Sequence, residues 1–479
     1  MKNLHKSSDL LHTKSLFRTS HLAVRRGLQM SQAVNDPAKS AAISADDHEF
    51  VFHSWSAQGA IKPLPISGSA GSRFWDYEGN TYLDFSSQLV FTNIGHQHPK
   101  VVKAIQEQAA VITTMAPQHA SEVRNQAARD IVELVGDKFA KVFFTTAGAD
   151  AIENAIRMAR LHTRKHKVLS TYRSYHGNTG AAINATGDPR RFPNEFAFGH
   201  VHFWGPYLYR TSFWATDEAQ ECARALEHLE QTIIFEGPNT IAAILIESIP
   251  GTAGVLVPPK GYLEGVRALC DKYKILWIAD EVMAGFGRTG KWFGYQHTAA
   301  TPDLITFAKG VTSGYIPLGG VIISGDVAKT FDETVFPGGL TYMGHPLATA
   351  TAVATIQVMK EEKMVENAAT IGEKILGPGL HEMAKKHKLI GDIRGMGVFW
   401  GVDLVTDRAT RAPLAPYGAS SPAMNELVAA CKKNGLMPFN NFNRIHLCPP
   451  CNISEADAKL GLEIIDKSLG EIAKHYTGA

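Results

Sequence analysis

From about residue 140 the sequence alternates short apolar runs with stretches of helical periodicity, and few architectures accommodate that alternation. The runs are VFFTT (142–146), VLSTY (168–172), IAAILIE (241–247), ILWIAD (275–280), LITF (304–307) and GVIIS (320–324). Short, often β-branched runs of this kind suit strands covered on both faces of a parallel sheet. Between them, Ile152, Ala155, Ile156 and Ala159 fall at i, i+3, i+4 and i+7, and Tyr262, Val266, Leu269, Cys270 and Tyr273 trace another apolar stripe. Both read as core faces of amphipathic helices. The expected fold is α/β with a mostly parallel central sheet, and in such folds ligands bind at the carboxyl ends of the strands.

The flanks differ from this centre. RFWDYEGNTYLDF (73–85) reads as a hairpin turning at Glu-Gly-Asn. After residue 346 the pattern is helical to 388, then gives short strands around GMGVFWGVDL (395–404) and RIHLCPP (444–450), then a final helix from Glu455. The predicted organisation is a leader (1–34), a large ligand-binding domain (95–345), and a smaller α+β domain assembled from 35–94 and 346–479.

Charge narrows the function classes. The 479 residues carry 48 Lys plus Arg against 46 Asp plus Glu, a net of +2. No basic excess or long like-charge block suggests a nucleic-acid binder. No run approaches the ~18 apolar residues of a membrane-spanning helix. The balance conceals an asymmetry: residues 1–34 hold six basic side chains, one acid, five Ser and two Thr. A basic, Ser-rich, amphipathic start reads as a mitochondrial transit peptide, with a matrix destination expected and the cytoplasm as the other. Five cysteines, odd in number and sparse, fit a reducing compartment. Cys448-Pro-Pro-Cys451 lacks both the second ligand pair of a zinc site and the βαβ context of a redox pair.

Several strand ends carry chemistry. Gly285-Phe-Gly287-Arg-Thr-Gly290 matches GxGxxG, but the aromatic, glycine-interrupted string that follows does not open the helix a dinucleotide site needs. Asp280 closes ILWIAD, where α/β ligands bind, although such an acid alone can simply cap a turn. Lys309 follows LITFA and precedes a Gly-rich segment; burial there would depress its ammonium pKa and make it a nucleophile. Thr145-Thr-Ala-Gly148-Ala149-Asp150 joins a strand to a helix whose small first residues let N–H groups meet an anion. Tyr175-His176-Gly177 offers an aromatic face. A phosphate cradle, an aromatic plate, a carboxylate and an amine are together what pyridoxal phosphate requires.

The strings WDYEGNTYLDF, GHQHP (95–99), TTAGADAIENAIRMAR, YHG, DEVMAGFGRTG, PDLITFAKG and GGLTYMGHPLATA then make the chain resemble the class III (ω-amino acid) aminotransferases of the fold-type I pyridoxal-phosphate superfamily. The resemblance covers all but the leader. It implies Lys309 as the amine that bonds the cofactor aldehyde, Asp280 as partner of the pyridine nitrogen, Val282 beneath the ring and Tyr175 stacked on it. It implies Gly148 and Ala149 at the phosphate, and Thr341 reaching the phosphate of a neighbouring subunit, hence a homodimer or tetramer with shared sites. Three positions depart from the family pattern: Ala149 replaces a hydroxyl residue, Asp150 a Glu, and Met283 a Gln. The flavour is nearest taurine or β-alanine–pyruvate transaminases, then γ-aminobutyrate. Expected is ping-pong transfer of an amino group from an ω-amino acid or amine to a 2-oxo acid, pyruvate first. An aminomutase or decarboxylase of the same fold is the alternative, and a non-catalytic binding protein a remoter one. For the substrate acid group the candidates are Arg444 and Arg173, the family's mobile Arg falling near Phe439; Trp55, Gln88 and Ser87 stand where relatives line the substrate entrance.

Overall fold

The computed structural model describes residues 35–195 and 197–478; the predicted leader lies outside them. The chain divides into two units, one running to Gly68 and including Asp76–Gly79, the other comprising Ser69–Trp75 and everything from Asn80. In the first, Asp36 caps the helix Pro37–Phe50 by accepting from the Lys39 N–H, which satisfies a donor the helix start leaves free. The Asp36 N–H donates to the Tyr77 carbonyl.

In the second unit, one sheet has seven strands among the described residues. Their order is Phe139–Thr145, Gly319–Ser324, Leu304–Phe307, Leu276–Asp280, Ile241–Glu247, Lys167–Thr171, His200–Phe203. Gly319–Ser324 runs antiparallel to both its neighbours, and the remaining pairs are parallel. The six apolar runs of the sequence are all strands here. The seventh, His200–Phe203, was not expected, because HVHF is short and its alternation places two histidines where an apolar run would be sought.

Both faces of this sheet are covered. Ile244, Ile246, Trp277, Ala279, Ile305 and Phe307 pack into one core, while the alternate residues Ala243, Leu245, Ile278 and Leu304 pack into another beneath the helix Gly148–Thr163. That is the period of two expected of a strand buried on both sides. Ile152, Ala155, Ile156 and Ala159 are all buried, as their spacing predicted.

The second sheet joins segments far apart in sequence. Arg73–Asp76 pairs antiparallel with Thr81–Phe85, as the hairpin reading expected. Leu436–Asn441 then runs parallel to Thr81–Phe85, and Arg444–Leu447, Phe399–Asp407 and Ile390–Met396 follow, all antiparallel. The final helix, Glu455–Glu471, crosses this sheet so closely that a Cβ on Gly461 would stand 2.0 Å from the Phe85 ring. Only glycine permits that approach. Cys448 and Cys451 are buried thiols of the core.

Candidate active site

Parallel strands end on one edge of the seven-stranded sheet, and the chemistry collects there. Glu247 and Asp280 are the last residues of neighbouring strands and face each other in register; Thr306 is the Asp280 partner on the next strand. Asp280 is 3% exposed. Its Oδ1 accepts from the Val282 N–H (3.0 Å) and its Oδ2 lies 2.7 Å from His176 Nδ1. With Asp280 ionised, the histidine proton sits on Nδ1. His176 Nε2 is buried and, among the described residues, has no partner.

Asp280 and Glu281 illustrate the strand alternation. Asp280 faces the site, whereas Glu281 points away and accepts from Ser248 Oγ (2.6 Å) and the Gly294 and Tyr295 N–H groups (both 2.8 Å). Burial pushes its carboxyl up to about 7. Glu281 thereby anchors the segment after Gly285-Phe-Gly287-Arg-Thr-Gly290, which is a run of turns rather than the start of a helix.

Lys309 stands just beyond Leu304–Phe307 with φ at +49°, a left-handed backbone that costs a non-glycine residue of order 1 kcal/mol. Burial lowers its ammonium pKa, against the opposing pull of Asp280 and Glu247. Glu247 itself is pushed up to about 7 by burial and by Asp280, although the Tyr175 and Gly251 N–H groups donate to it at 3.0 and 2.8 Å. The sequence offered no cue to Glu247, the last letter of an apolar run, or to the pairing of His176 with Asp280.

The helix Gly148–Thr163 begins at the same edge, and among the described residues no side chain caps it. Gly148 packs directly on two other strand ends: a Cβ there would lie 2.8 Å from Val282 Cγ1 and 3.6 Å from Ala308 Cβ. Gly177, at φ +131°, would carry a Cβ 2.6 Å from that of Ala149. These contacts bring Gly148, Ala149, Val282 and the residues flanking Lys309 and Tyr175 into one cluster. Tyr175 is half-buried, with the Arg190 guanidinium 3.5 Å from its ring centroid; Asp188 pairs with that guanidinium at 3.0–3.1 Å through Nε.

The residues present fit pyridoxal phosphate. An uncapped helix start suits a phosphate, a buried carboxylate needs a cation or N–H partner, and a desolvated lysine suits an aldehyde. Ala149 can meet a phosphate only through its backbone N–H. Met283 packs in a small apolar cluster with Val90 and Phe399.

The remaining sequence candidates are dispersed. Thr341 is exposed, in the segment before the helix Pro346–Glu361. Gln88 donates to Asp84 Oδ2 at 3.0 Å from a segment in which Ser87, Gln88 and Val90 all have positive φ. Ser87 Oγ donates to the Cys448 carbonyl. Trp55, in the first unit, is 61% exposed. Arg444 is 5% exposed; its guanidinium donates to the Ala253 carbonyl and lines a cavity with Arg173 and Asp403. The Phe439 ring lies 4.9 Å from that of His446.

Comparisons agree with this geometry. Residues 55–469 match the family model for aminotransferase class-III. The taurine–pyruvate aminotransferase of Bilophila wadsworthia is 33% identical over 461 residues, 91% of this chain and 98% of that protein. The 4-aminobutyrate aminotransferase GabT of Escherichia coli (strain K12) is 32% identical, covering 86% and 95%. Among solved structures, the taurine:2-oxoglutarate aminotransferase of Bifidobacterium kashiwanohense, in complex with pyridoxal phosphate and glutamate, superposes with a TM-score of 0.89 at 42% identity. That match covers 93% of this chain and 100% of the other. This chain therefore belongs to the pyridoxal-phosphate-dependent class III aminotransferases, with their fold-type I architecture.

Proposed function

We propose that this aminotransferase takes the amino group of an ω-amino acid, taurine first and β-alanine or γ-aminobutyrate next, and delivers it to pyruvate in two half-reactions. The observation that carries the reading is the convergence of Lys309, Asp280 and the Gly148 helix start on one sheet edge, in a chain 33% identical to a taurine–pyruvate aminotransferase. A second acceptor, 2-oxoglutarate, is favoured by the 42% identity to an enzyme that uses it.

Bound, the cofactor supplies an aldehyde for the incoming amine and a ring that takes up the electron pair released at the substrate carbon. Lys309 Nζ, its ammonium pKa lowered by burial, would bond that aldehyde, and as a free amine would take the proton from the substrate carbon and return one during the transfer. The Asp280 carboxylate, oriented by His176 and the Val282 N–H, holds the proton on the ring nitrogen. Tyr175, whose other ring face Arg190 covers, and Val282 would hold the cofactor ring, and the N–H groups of Gly148 and Ala149 would hold its phosphate. Thr341 completes the phosphate site of a second subunit, and the working form is a homodimer or larger. Gln88 lines the substrate entrance. Residues 1–34 direct import into the mitochondrial matrix; a reporter fused to them and found only in the cytosol would refute that assignment.

A donor panel tests the substrate reading. Taurine, β-alanine, γ-aminobutyrate and a monoamine are offered against pyruvate and 2-oxoglutarate, with cofactor absorbance followed in each half-reaction. Alanine formed from pyruvate with an ω-amino acid donor supports the proposal. Release of carbon dioxide or an isomerised amine without alanine or glutamate would favour the decarboxylase or aminomutase alternative.

A further inference from the structure

Glu247 ends an apolar strand, is 5% exposed, and stands in register with Asp280 on the neighbouring parallel strand. In-register residues of a parallel pair project to the same face of the sheet, so both carboxyls belong to the site. Burying a second acid there is costly, and nothing in the proposed chemistry uses it.

Its partners explain its presence. Oε1 accepts from the Tyr175 N–H at 3.0 Å and Oε2 from the Gly251 N–H at 2.8 Å. An amide could not serve both donors, because its nitrogen has no lone pair to offer. The proton that burial and Asp280 hold on Glu247 up to about 7 spares the site a second full charge beside Asp280. The titratable groups facing Glu247 are Asp280 on the next strand, His176 beside Tyr175, and Lys309 beyond Leu304–Phe307.

Each of the two N–H groups belongs to a different wall of the site. Tyr175 carries the aromatic face, backed by the Arg190 guanidinium. Gly251 opens a turn, residues 251–254, that packs on Met283. A Cβ on Gly251 would collide with the Met283 sulfur, and Thr252 Oγ1 lies 3.9 Å from that sulfur. Met283 follows Val282, the other residue assigned to the cofactor ring. The far side of the turn is tied to the second sheet: Asn441 donates to the Thr252 carbonyl at 2.9 Å, and His446 Nε2 lies 3.2 Å from the Gly251 carbonyl. The turn is therefore fixed, and Glu247 bridges it to the Tyr175 segment.

We propose that Glu247 is a positioning residue that sets the width of the cofactor slot, its two oxygens holding the Tyr175 segment and the Gly251 turn at a fixed separation. The aromatic wall and the Val282–Met283 wall are spaced by that one side chain. The proposal rests on the placement of Tyr175 and Val282 against the cofactor ring, and not on which amino donor is used.

The test compares wild-type holoenzyme with Glu247→Gln, which keeps one acceptor, and Glu247→Ala, which keeps none. Gly461→Ala, whose methyl meets Phe85 far along the chain, serves as a destabilised control. Three readouts are taken: the visible circular-dichroism band per mole of bound cofactor, the cofactor dissociation constant, and hydrogen exchange in peptides containing Tyr175 and Gly251. Glu247→Ala should reduce the band at least twofold, weaken cofactor binding at least tenfold, and speed exchange in both peptides at least tenfold. Glu247→Gln should fall between, and Gly461→Ala should keep the wild-type band. An unchanged band in Glu247→Ala, or in Glu247→Gln if the alanine variant does not fold, would make Glu247 a stabilising residue only and overturns the proposal. The same loss of band in Gly461→Ala overturns it as well. Unaltered exchange in the Glu247 variants overturns the clamp alone, whereas an unaltered band in Tyr175→Ala overturns the placement of the ring and the slot with it.

Discussion

At Lys309 two electrostatic effects oppose each other, and the balance sets the chemistry. Burial disfavours the ammonium, the carboxylates of Asp280 and Glu247 favour it, and burial prevails. The proposed chemistry depends next on Asp280. Replacing it with Asn removes the negative charge while preserving the shape, and losing one partner of a buried charge pair costs about 3–5 kcal/mol. Asp280→Asn should therefore lower kcat by about two to four orders of magnitude, measured in the donor half-reaction, with a changed absorbance of the bound cofactor. Glu247 makes a prediction in pH. Its carboxyl is raised from 4.5 to about 7, so between those values the folded protein holds more protons than the unfolded chain. The stability this confers is complete at the acid end and is lost as pH rises through about 7. In the cofactor-free protein, Glu247→Gln should flatten the decline in Tm across that window; an unaltered pH profile would contradict the assigned shift.

At the scale of elements, glycines set how closely helices approach sheets. Gly148→Ala forces a methyl against Val282, and overpacking of this kind typically costs 1–3 kcal/mol. The variant should unfold at lower denaturant and bind the cofactor more weakly, and Val282→Ala in the same chain should restore part of the stability. Gly461→Ala drives a methyl into the Phe85 ring and should cost at least as much, without altering cofactor absorbance in the folded fraction, because that contact belongs to the core of the second sheet. The elements themselves were legible where one physical signal dominated. Runs such as IAAILIE are apolar on both faces because both faces are covered, and the helix beginning at Gly148 shows its stripe directly. His200–Phe203 escaped notice because an edge strand is not obliged to be apolar on both faces. The parallel pairing of Leu436–Asn441 with Thr81–Phe85 was equally hidden, since no local pattern specifies a partner some 350 residues away in sequence.

At the scale of the whole molecule, the α/β class, the mostly parallel sheet and the family were readable because the cofactor demands several unlike groups in a fixed order along the chain. The Lys309, Asp280 and Gly148 positions emerged for that reason. What stayed hidden depends on three-dimensional neighbours: the Glu247–Asp280 adjacency, the His176 pairing, and the cavity that gathers Arg173 and Arg444 from distant parts of the sequence. Thr341 belongs to this scale as well. On the proposed shared site, Thr341→Ala should weaken cofactor binding while leaving the sedimentation coefficient of the wild-type protein unchanged. The central claim is that Lys309 is the amine that holds the cofactor. Borohydride reduction of the loaded enzyme, followed by peptide mass mapping, tests it most directly. The account predicts a phosphopyridoxyl group on the peptide containing Lys309, and neither adduct nor turnover in Lys309→Ala. An adduct on another lysine, or turnover surviving in Lys309→Ala, would contradict it.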